Sequence, residues 1–376
     1  MMWREISTNQ NSLLVLQRSM ELQPTVQTKS REVYMQRVTK LFLLLFLLSV
    51  PVTNTFSEVP AVSVRSELSG ERQTTDTVFM VSPDDFAFNQ ETAQSNVFQK
   101  RSAETVLLQK RAMAEFRGMV KKLKASGVRV ITLASRRDTK TPDAVFPNNW
   151  FSVHKGGNGE RVVAGYPMLA PNRRAERRVD ELTGKLRENG IAVSKTIDFS
   201  RHEAEGKFLE GTGSMVLDRT HHIAYASLSP RTDRSVLADF ADKLGYRPVT
   251  FSSYDSTGSL IYHTNVMMSV GERFAVVCTD AIRDEQERAA VLKELEQSGK
   301  TVITITLDQV RFMCGNILEL RAKGKRIIVL SKTAYDHFTP QQKKILGGFG
   351  SLLPVDITTI ETTGGGSARC MLGEVF

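Results

Sequence analysis

Thiol, imidazole and carboxylate groups beside glycine-rich turns can build a covalent catalytic site, and three segments of this sequence carry one such group each. TTGGGSARCMLGEVF (362–376) holds Cys370, SLIYHTNVMMSV (259–270) holds His263, and EGKFLEGTGSMVLD (205–218) holds Glu210. A cysteine attacks carbon as its thiolate, so it needs a base or a positive field nearby. Of the 6 histidines, His221 and His222 read as a turn, His337 as a helix start, His202 as part of a charged loop and His154 as a strand end. His263 differs: it precedes an apolar run and has Thr264 and Asn265 beside it, polar company at a rim where sites assemble. Glu210 leads into Gly-Thr-Gly, where glycines permit close backbone approach and a carboxylate could bind or deprotonate a substrate. Taken singly, a rim histidine and a glutamate on a solvated turn remain alternatives to both.

The other thiols read as structural. Cys278 ends an apolar strand, and Cys314 sits in RFMCGNILEL among apolar neighbours, with Gly315-Asn316 as a turn lining the cavity. Three cysteines in 376 residues give no disulfide framework. No cluster has metal-ligand spacing and no phosphate-cradling motif occurs, so a cofactor-free protein is expected. The net charge of +9 is spread through RAERR, RAKGKR and KK segments that alternate with carboxylates. Without a basic run interleaved with aromatics, this reads as a solvated surface and not a nucleic-acid site.

These groups must be carried by elements, and from Thr75 onward the texture is that of short strands alternating with helical patterns. Strands are expected at 77–81, 128–134, 150–154, 161–167, 213–218, 222–228, 247–251, 265–270, 274–278, 301–305, 316–320 and 326–330, with helices near 103–126, 172–189, 231–244, 284–298 and 339–347. The alternation is that of an α/β protein built of repeated units around an axis. Residues 1–75 differ, being rich in Ser, Thr, Gln and Arg around the apolar block LFLLLFLLSVPV (41–52). About 12 apolar residues are too few to span a bilayer, which takes ~20. Read from Met35 the block has secretory-signal proportions. Read from Met1 it is a signal anchor, part of an organelle-targeting leader or an artefact of gene modelling. A targeting extension (1–75) and a catalytic domain (76–376) without stable membrane insertion are therefore expected, with the secretory pathway, an organelle or the cytoplasm left open as destination.

In order along the chain, FAFNQETAQSNVFQ (86–99), FPNNWFSVH (146–154), FLEGTGSMVLD (208–218), SPRTD (229–233), YHTNVMM (262–268), DQVRFMCGNILEL (308–320) and GGGSARCML (364–372) resemble the guanidino-group-modifying, or pentein, superfamily. That superfamily includes arginine deiminases, dimethylarginine dimethylaminohydrolases and amidinotransferases, and the likeness to its arginine-deiminase-related, citrulline-utilising branch covers about 77–376. The resemblance implies a five-bladed α/β propeller of ββαβ units around a central cavity. It also implies a cysteine-dependent hydrolase of linear, non-peptide C–N bonds, with Cys370 as nucleophile, His263 as general acid/base and Glu210 as the substrate-nitrogen carboxylate. Arg231 becomes the clamp for an amino-acid substrate's α-carboxylate, and Gly364, Gly365 and Gly366 let backbone N–H groups approach developing charge.

Two departures bear on the substrate. Where arginine deiminases hold the cationic guanidinium between two acids, this sequence has Asn148 and Asn149 in PNNW and Asn265 in His-Thr-Asn. An amide offers both a donor and an acceptor and suits a neutral ureido group. A buried guanidinium without counter-charge would be costly. Citrulline or an arginine derivative is the expected substrate, and homo-oligomerisation is left open. An amidinotransferase using the same three residues, or a non-catalytic propeller resembling the ribosome anti-association factor, are the rival readings.

Overall fold

A computed structural model of the chain describes residues 71–101, 105–156 and 159–376, so the apolar block 41–52 lies outside the described residues. Among the described residues, fifteen strands form five three-stranded sheets. They are β1 (Thr77–Val81), β2 (Arg129–Leu133), β3 (Phe151–Lys155), β4 (Arg161–Gly165), β5 (Lys195–Asp198), β6 (Val216–Asp218), β7 (Ile223–Ser227), β8 (Arg247–Phe251), β9 (Met268–Val270), β10 (Phe274–Val277), β11 (Thr301–Thr304), β12 (Leu318–Ala322), β13 (Lys325–Ser331), β14 (Ser351–Val355) and β15 (Gly373–Val375). The sheets are β15-β1-β2, β3-β4-β5, β6-β7-β8, β9-β10-β11 and β12-β13-β14.

Each sheet follows one rule. Its first strand pairs antiparallel with the second, and the second pairs parallel with the third. A parallel pair needs a crossover, and helices supply it: Thr105–Ala125, Val179–Glu188, Arg234–Leu244, Glu285–Gln297, and the pair Lys332–His337 and Pro340–Gly347. The five ββαβ units expected from the resemblance are all present. The first is completed from the far end of the chain, with Thr77 opposite Val375 and Phe79 opposite Gly373. Residues 363–375 are accordingly buried.

Middle strands were the most legible because both faces are covered: TVFMV, IAYAS and FAVV are buried throughout. Three strands escaped the sequence reading. In β5 only Ile197 of KTID is buried, β14 contains Pro354 at a sheet edge, and β15 has three residues. The helix expected at 231–244 starts later, because Asp233 accepts from the N–H groups of Ser235 and Val236 and is the true cap. Val236, Leu237, Phe240 and Leu244 form its buried face, and Gly245 in the left-handed region ends it. The helix expected at 172–189 is two, Pro171–Arg174 and Val179–Glu188.

The first strands of the sheets meet around the axis: β15 contacts β3, and β9 contacts both β6 and β12. Their C-terminal ends are closed by the segment before β1. Gln73 donates to the Leu217 and Val270 carbonyls and accepts from Arg219 N–H, while Glu71 accepts from Arg219 Nη1 at 2.7 Å and from the Tyr246 hydroxyl at 2.8 Å. His154 lies beneath this cluster, wholly buried. Burial first, and the Arg219 charge second, hold its imidazole well below the usual 6.5. The neutral ring shares a 2.7 Å hydrogen bond with Ser152 Oγ through Nε2. Below pH 6.5 the unfolded chain therefore takes up a proton that the fold refuses, and stability falls with pH. The stability advantage of wild type over His154→Gln should shrink as pH drops below 6.5, measured by urea unfolding at pH 7.5, 6.5 and 5.5.

Candidate active site

The opposite, N-terminal ends of the five axial strands carry the chemistry, each approached through a short lead-in. Pro147–Asn149 forms a single 3-10 turn before β3. Gly211–Ser214 and Thr264–Met267 are one-turn helices before β6 and β9, where extended strand had been expected. Glu210 and His263 stand at the corresponding position, immediately ahead of those turns. Glu210 is fixed by its backbone, whose N–H bonds Ser214 Oγ at 2.8 Å, while that hydroxyl donates to the Arg231 carbonyl at 2.6 Å.

The Gly-Thr-Gly turn is what lets the lead-ins converge. Gly211 has φ +47°, and a Cβ there would lie 2.4 Å from the Asn148 carbonyl oxygen. At Gly213 a Cβ would lie 2.3 Å from Asn149 Nδ2 and 2.8 Å from the His263 ring. Gly213→Ala should therefore displace both side chains and lower kcat by about a hundredfold, because small misplacements at a reacting centre cost that much. A variant with wild-type kcat in a steady-state assay would refute this.

His263 Nε2 is 2.9 Å from Glu210 Oε2. The carboxylate also accepts from Leu169 N–H at 3.0 Å and Arg231 Nη1 at 3.3 Å, with Arg173 Nη1 at 3.8 Å. Burial alone would raise its pKa, but Arg231, the His263 hydrogen bond and Arg173 outweigh it and hold Glu210 well below the carboxylate range. For His263 burial wins over the contact with Glu210 and pushes it down to about 4. At neutral pH the imidazole is thus uncharged. An ionised Glu210 can only accept, so Nε2 carries the proton and Nδ1 is the free base.

Cys370 is buried with its sulfur facing two amides, Asn316 Nδ2 at 3.2 Å and Asn265 Nδ2 at 3.5 Å. Cys370, His263, Asn149, Arg231 and Gly366 line one cavity, together with Arg173 and Asp143. The cavity holds about 10 Å³, room for a single water. That volume is too small for an amino acid, so the wall must open for one to bind, and the segment 89–100 contributes Thr92 and Asn96 to it. That segment is tied down through Ser95 Oγ and the Thr92 carbonyl to Arg231, and through Asn96 to the Gly365 carbonyl.

Several sequence expectations change at this point. Arg231 borders the cavity, but its guanidinium is engaged by Glu210, Ser95 and Thr92 and lies 4.8 Å from the Tyr262 ring centre. The Gly365 N–H bonds Glu361 O at 2.8 Å, closing the helix Thr358–Gly364, so it is not aimed at substrate. Asn148, Glu210 and Asn265 are buried just outside the cavity wall, Asn148 near Thr212 and the other two behind His263 and Cys370, which they contact. Cys278 and Cys314 are buried and burial raises their thiols to about 11 and about 12, which fits their structural reading.

Residues missed in the sequence are mostly charged. Arg173, from a run read as surface, is buried and donates to Glu176 and, at 2.9 Å, to Asn149 Oδ1. Asp143 accepts from Asn89 and Thr92, and its other oxygen has no hydrogen-bond partner. Only its place three residues ahead of FPNNW could have drawn attention to it. Among the described residues no group of three or more His, Cys, Asp or Glu side chains is placed to hold a metal.

The family model described as N,N dimethylarginine dimethylhydrolase, eukaryotic, matches residues 82–376. The chain belongs to this dimethylhydrolase family. It is a hydrolase of the guanidino-group-modifying, or pentein, superfamily, acting on C–N bonds other than peptide bonds. No curated protein sequence matches it. Among solved structures, the chain is similar to the N-terminal domain of ArgZ, a cyanobacterial arginine dihydrolase bound to substrate as a cysteine-to-serine variant. That match has 16% identity and a TM-score of 0.60, covering 79% of this chain and 96% of that one. AgrE in complex with ornithine and NAD+ matches at 17% identity and TM-score 0.61, over 80% of this chain and 39% of its own. The Pseudomonas aeruginosa dimethylhydrolase, complexed with citrulline, matches at 12% and 0.52, over 80% and 99%. At these identities the structures establish the shared fold.

Proposed function

We propose that this hydrolase cleaves a C–N bond at the ureido carbon of an arginine-derived amino acid, citrulline being the candidate, through a covalent intermediate on Cys370. The thiol proton passes to His263 Nδ1 and the thiolate adds to the trigonal carbon, its π pair moving onto oxygen. Collapse expels ammonia, which takes the proton from His263. Water then attacks the thiocarbamoyl carbon with His263 as base, and the thiolate leaves and is reprotonated. The released carbamate yields ornithine and carbon dioxide. Because His263 is neutral before reaction, the proton it delivers is the thiol's own, and Glu210 orients the ring and receives the substrate nitrogen.

One observation carries the ureido reading. Arg173 donates to Asn149 Oδ1, which fixes that amide and leaves Nδ2 as a donor without a partner. Asn265 spends Nδ2 on Cys370 and keeps Oδ1 unpartnered. A free donor with a free acceptor matches C=O beside NH2, whereas a guanidinium presents donors alone. Glu210 itself already faces two arginines, so a cationic headgroup would have to turn to Asp143, whose Oδ1 is without a hydrogen-bond partner in the same cavity wall. The second reading, a methylated arginine, is favoured by the family's description.

Purified protein incubated with citrulline, arginine or N,N-dimethylarginine, assayed for ornithine, citrulline, ammonia and dimethylamine, separates them. Ornithine and ammonia from citrulline are expected, unchanged by added glycine or ornithine as acceptor. Citrulline left intact while either guanidino compound is consumed would overturn the ureido reading.

A further inference from the structure

Four of the five axial lead-ins carry groups already assigned: Asn149 before β3, Glu210 before β6, His263 and Asn265 before β9, and Cys370 before β15. The fifth, before β12, was read from sequence as a turn. It carries Asn316, which has no exposed surface. Its amide is used completely. Nδ2 donates to Cys370 Sγ at 3.2 Å and to the Asn265 carbonyl at 2.9 Å, while Oδ1 accepts from Arg369 N–H at 3.0 Å. Arg369 N–H can only donate, so it fixes which end of the amide is oxygen and turns the nitrogen toward sulfur.

We propose that Asn316 is a catalytic residue that, together with Asn265, receives the charge that develops on the Cys370 sulfur as its proton passes to His263, and aims that sulfur at the substrate carbon. This rests on the reading of Cys370 as nucleophile. A neutral thiol sulfur is a weak acceptor, whereas a thiolate accepts as an ion, and hydrogen bonds with an ionised partner are roughly twice as strong. Two amide donors converging on one sulfur therefore bond it more strongly as charge develops there during proton transfer. The proton released goes to His263 Nδ1, so no further reactant is needed. The same amide ties the nucleophile to the His263 turn through the Asn265 carbonyl, fixing donor and acceptor of that proton relative to each other.

The experiment is the pH profile of iodoacetamide alkylation at Cys370, located by peptide mass analysis, in wild type, Asn316→Asp and Asn316→Ser. Asn316→Asp keeps the acceptor for Arg369 N–H but faces the sulfur with a carboxylate. Cys370→Ser supplies the background from Cys278 and Cys314. The Asp variant should alkylate between about tenfold and a hundredfold more slowly at pH 7, the range for losing a hydrogen bond to a charged group. Its alkylation profile should move to higher pH, and kcat should fall in proportion with KM little changed. Asn316→Ser, whose shorter side chain withdraws the donor from the sulfur without facing it with a charge, should lie between the two, and it carries the test if the Asp variant does not fold. A wild-type alkylation profile in a folded Asn316 variant, whatever its kcat, overturns the proposal. Failure of the nucleophile reading looks different: Cys370→Ser would itself retain turnover.

Discussion

Cys370→Ser should lose turnover on every ureido or guanidino substrate by at least about a thousandfold, the scale on which removal of a covalent nucleophile is felt. The serine oxygen fits the space, and Asn316 and Asn265 still have an acceptor. What is lost is the anion: a hydroxyl gives up its proton far less readily than a thiol, and two amide donors cannot make up the difference. Substrate affinity should persist, since Arg231, Arg173 and Asn149 are untouched, and the thermal midpoint should stay within a few degrees. Ammonia release read beside calorimetric binding tests both halves. Turnover equal to wild type would revive the non-catalytic propeller.

Glu210→Gln should damage both stability and chemistry. Glu210 is wholly buried, and its charge is the counter-ion of Arg231 and lies 3.8 Å from Arg173. Removing one member of a buried ion cluster strands the others, at a cost of about 3 kcal/mol or more. The amide can also offer an N–H to His263, which would favour the other tautomer and take Nδ1 out of use as a base. A fall in kcat of about a hundredfold or more follows from losing general acid–base chemistry. Urea unfolding and steady-state rates of Glu210→Gln against wild type check the two effects. A variant as stable as wild type would refute the ion-cluster argument, and unchanged kcat would refute the assignment to Glu210.

The legible part of this protein follows from local physics. Buried middle strands such as IAYAS and FAVV announce themselves because both faces need apolar residues. Third strands such as KTID bury one side chain and do not. Cys370, His263 and Glu210 stood out locally as candidates in glycine-bearing or polar segments, and the resemblance of the ordered motifs is what joined them into one site. Arg173 did not stand out, because PNRRAERR has the composition of a solvated surface, and Glu176, the partner that makes its burial tolerable, lies in that same charged run. Asn316 was quoted in a motif and passed over as a turn, since nothing local distinguishes a turn asparagine from one donating to sulfur.

By itself the sequence determined an alternation of short strands and helices in its hydrophobic pattern, with a thiol, an imidazole, a carboxylate and several amides ahead of particular strands; the strand, strand, helix, strand unit came from the resemblance of its ordered motifs. Only the tertiary structure decided which of these meet, because the distances depend on closing the ring with β15 against β1. That closure brings Asn265 and Asn316 to Cys370 across 105 and 54 residues, and Glu210 to His263 across 53. It also decided what each group can do. Burial made His263 a neutral base, and Arg173 turned the Asn149 amide so that its donor faces no partner. Neither ionisation nor amide orientation is a property of a residue alone; both are set by the charges and dipoles that folding places beside it.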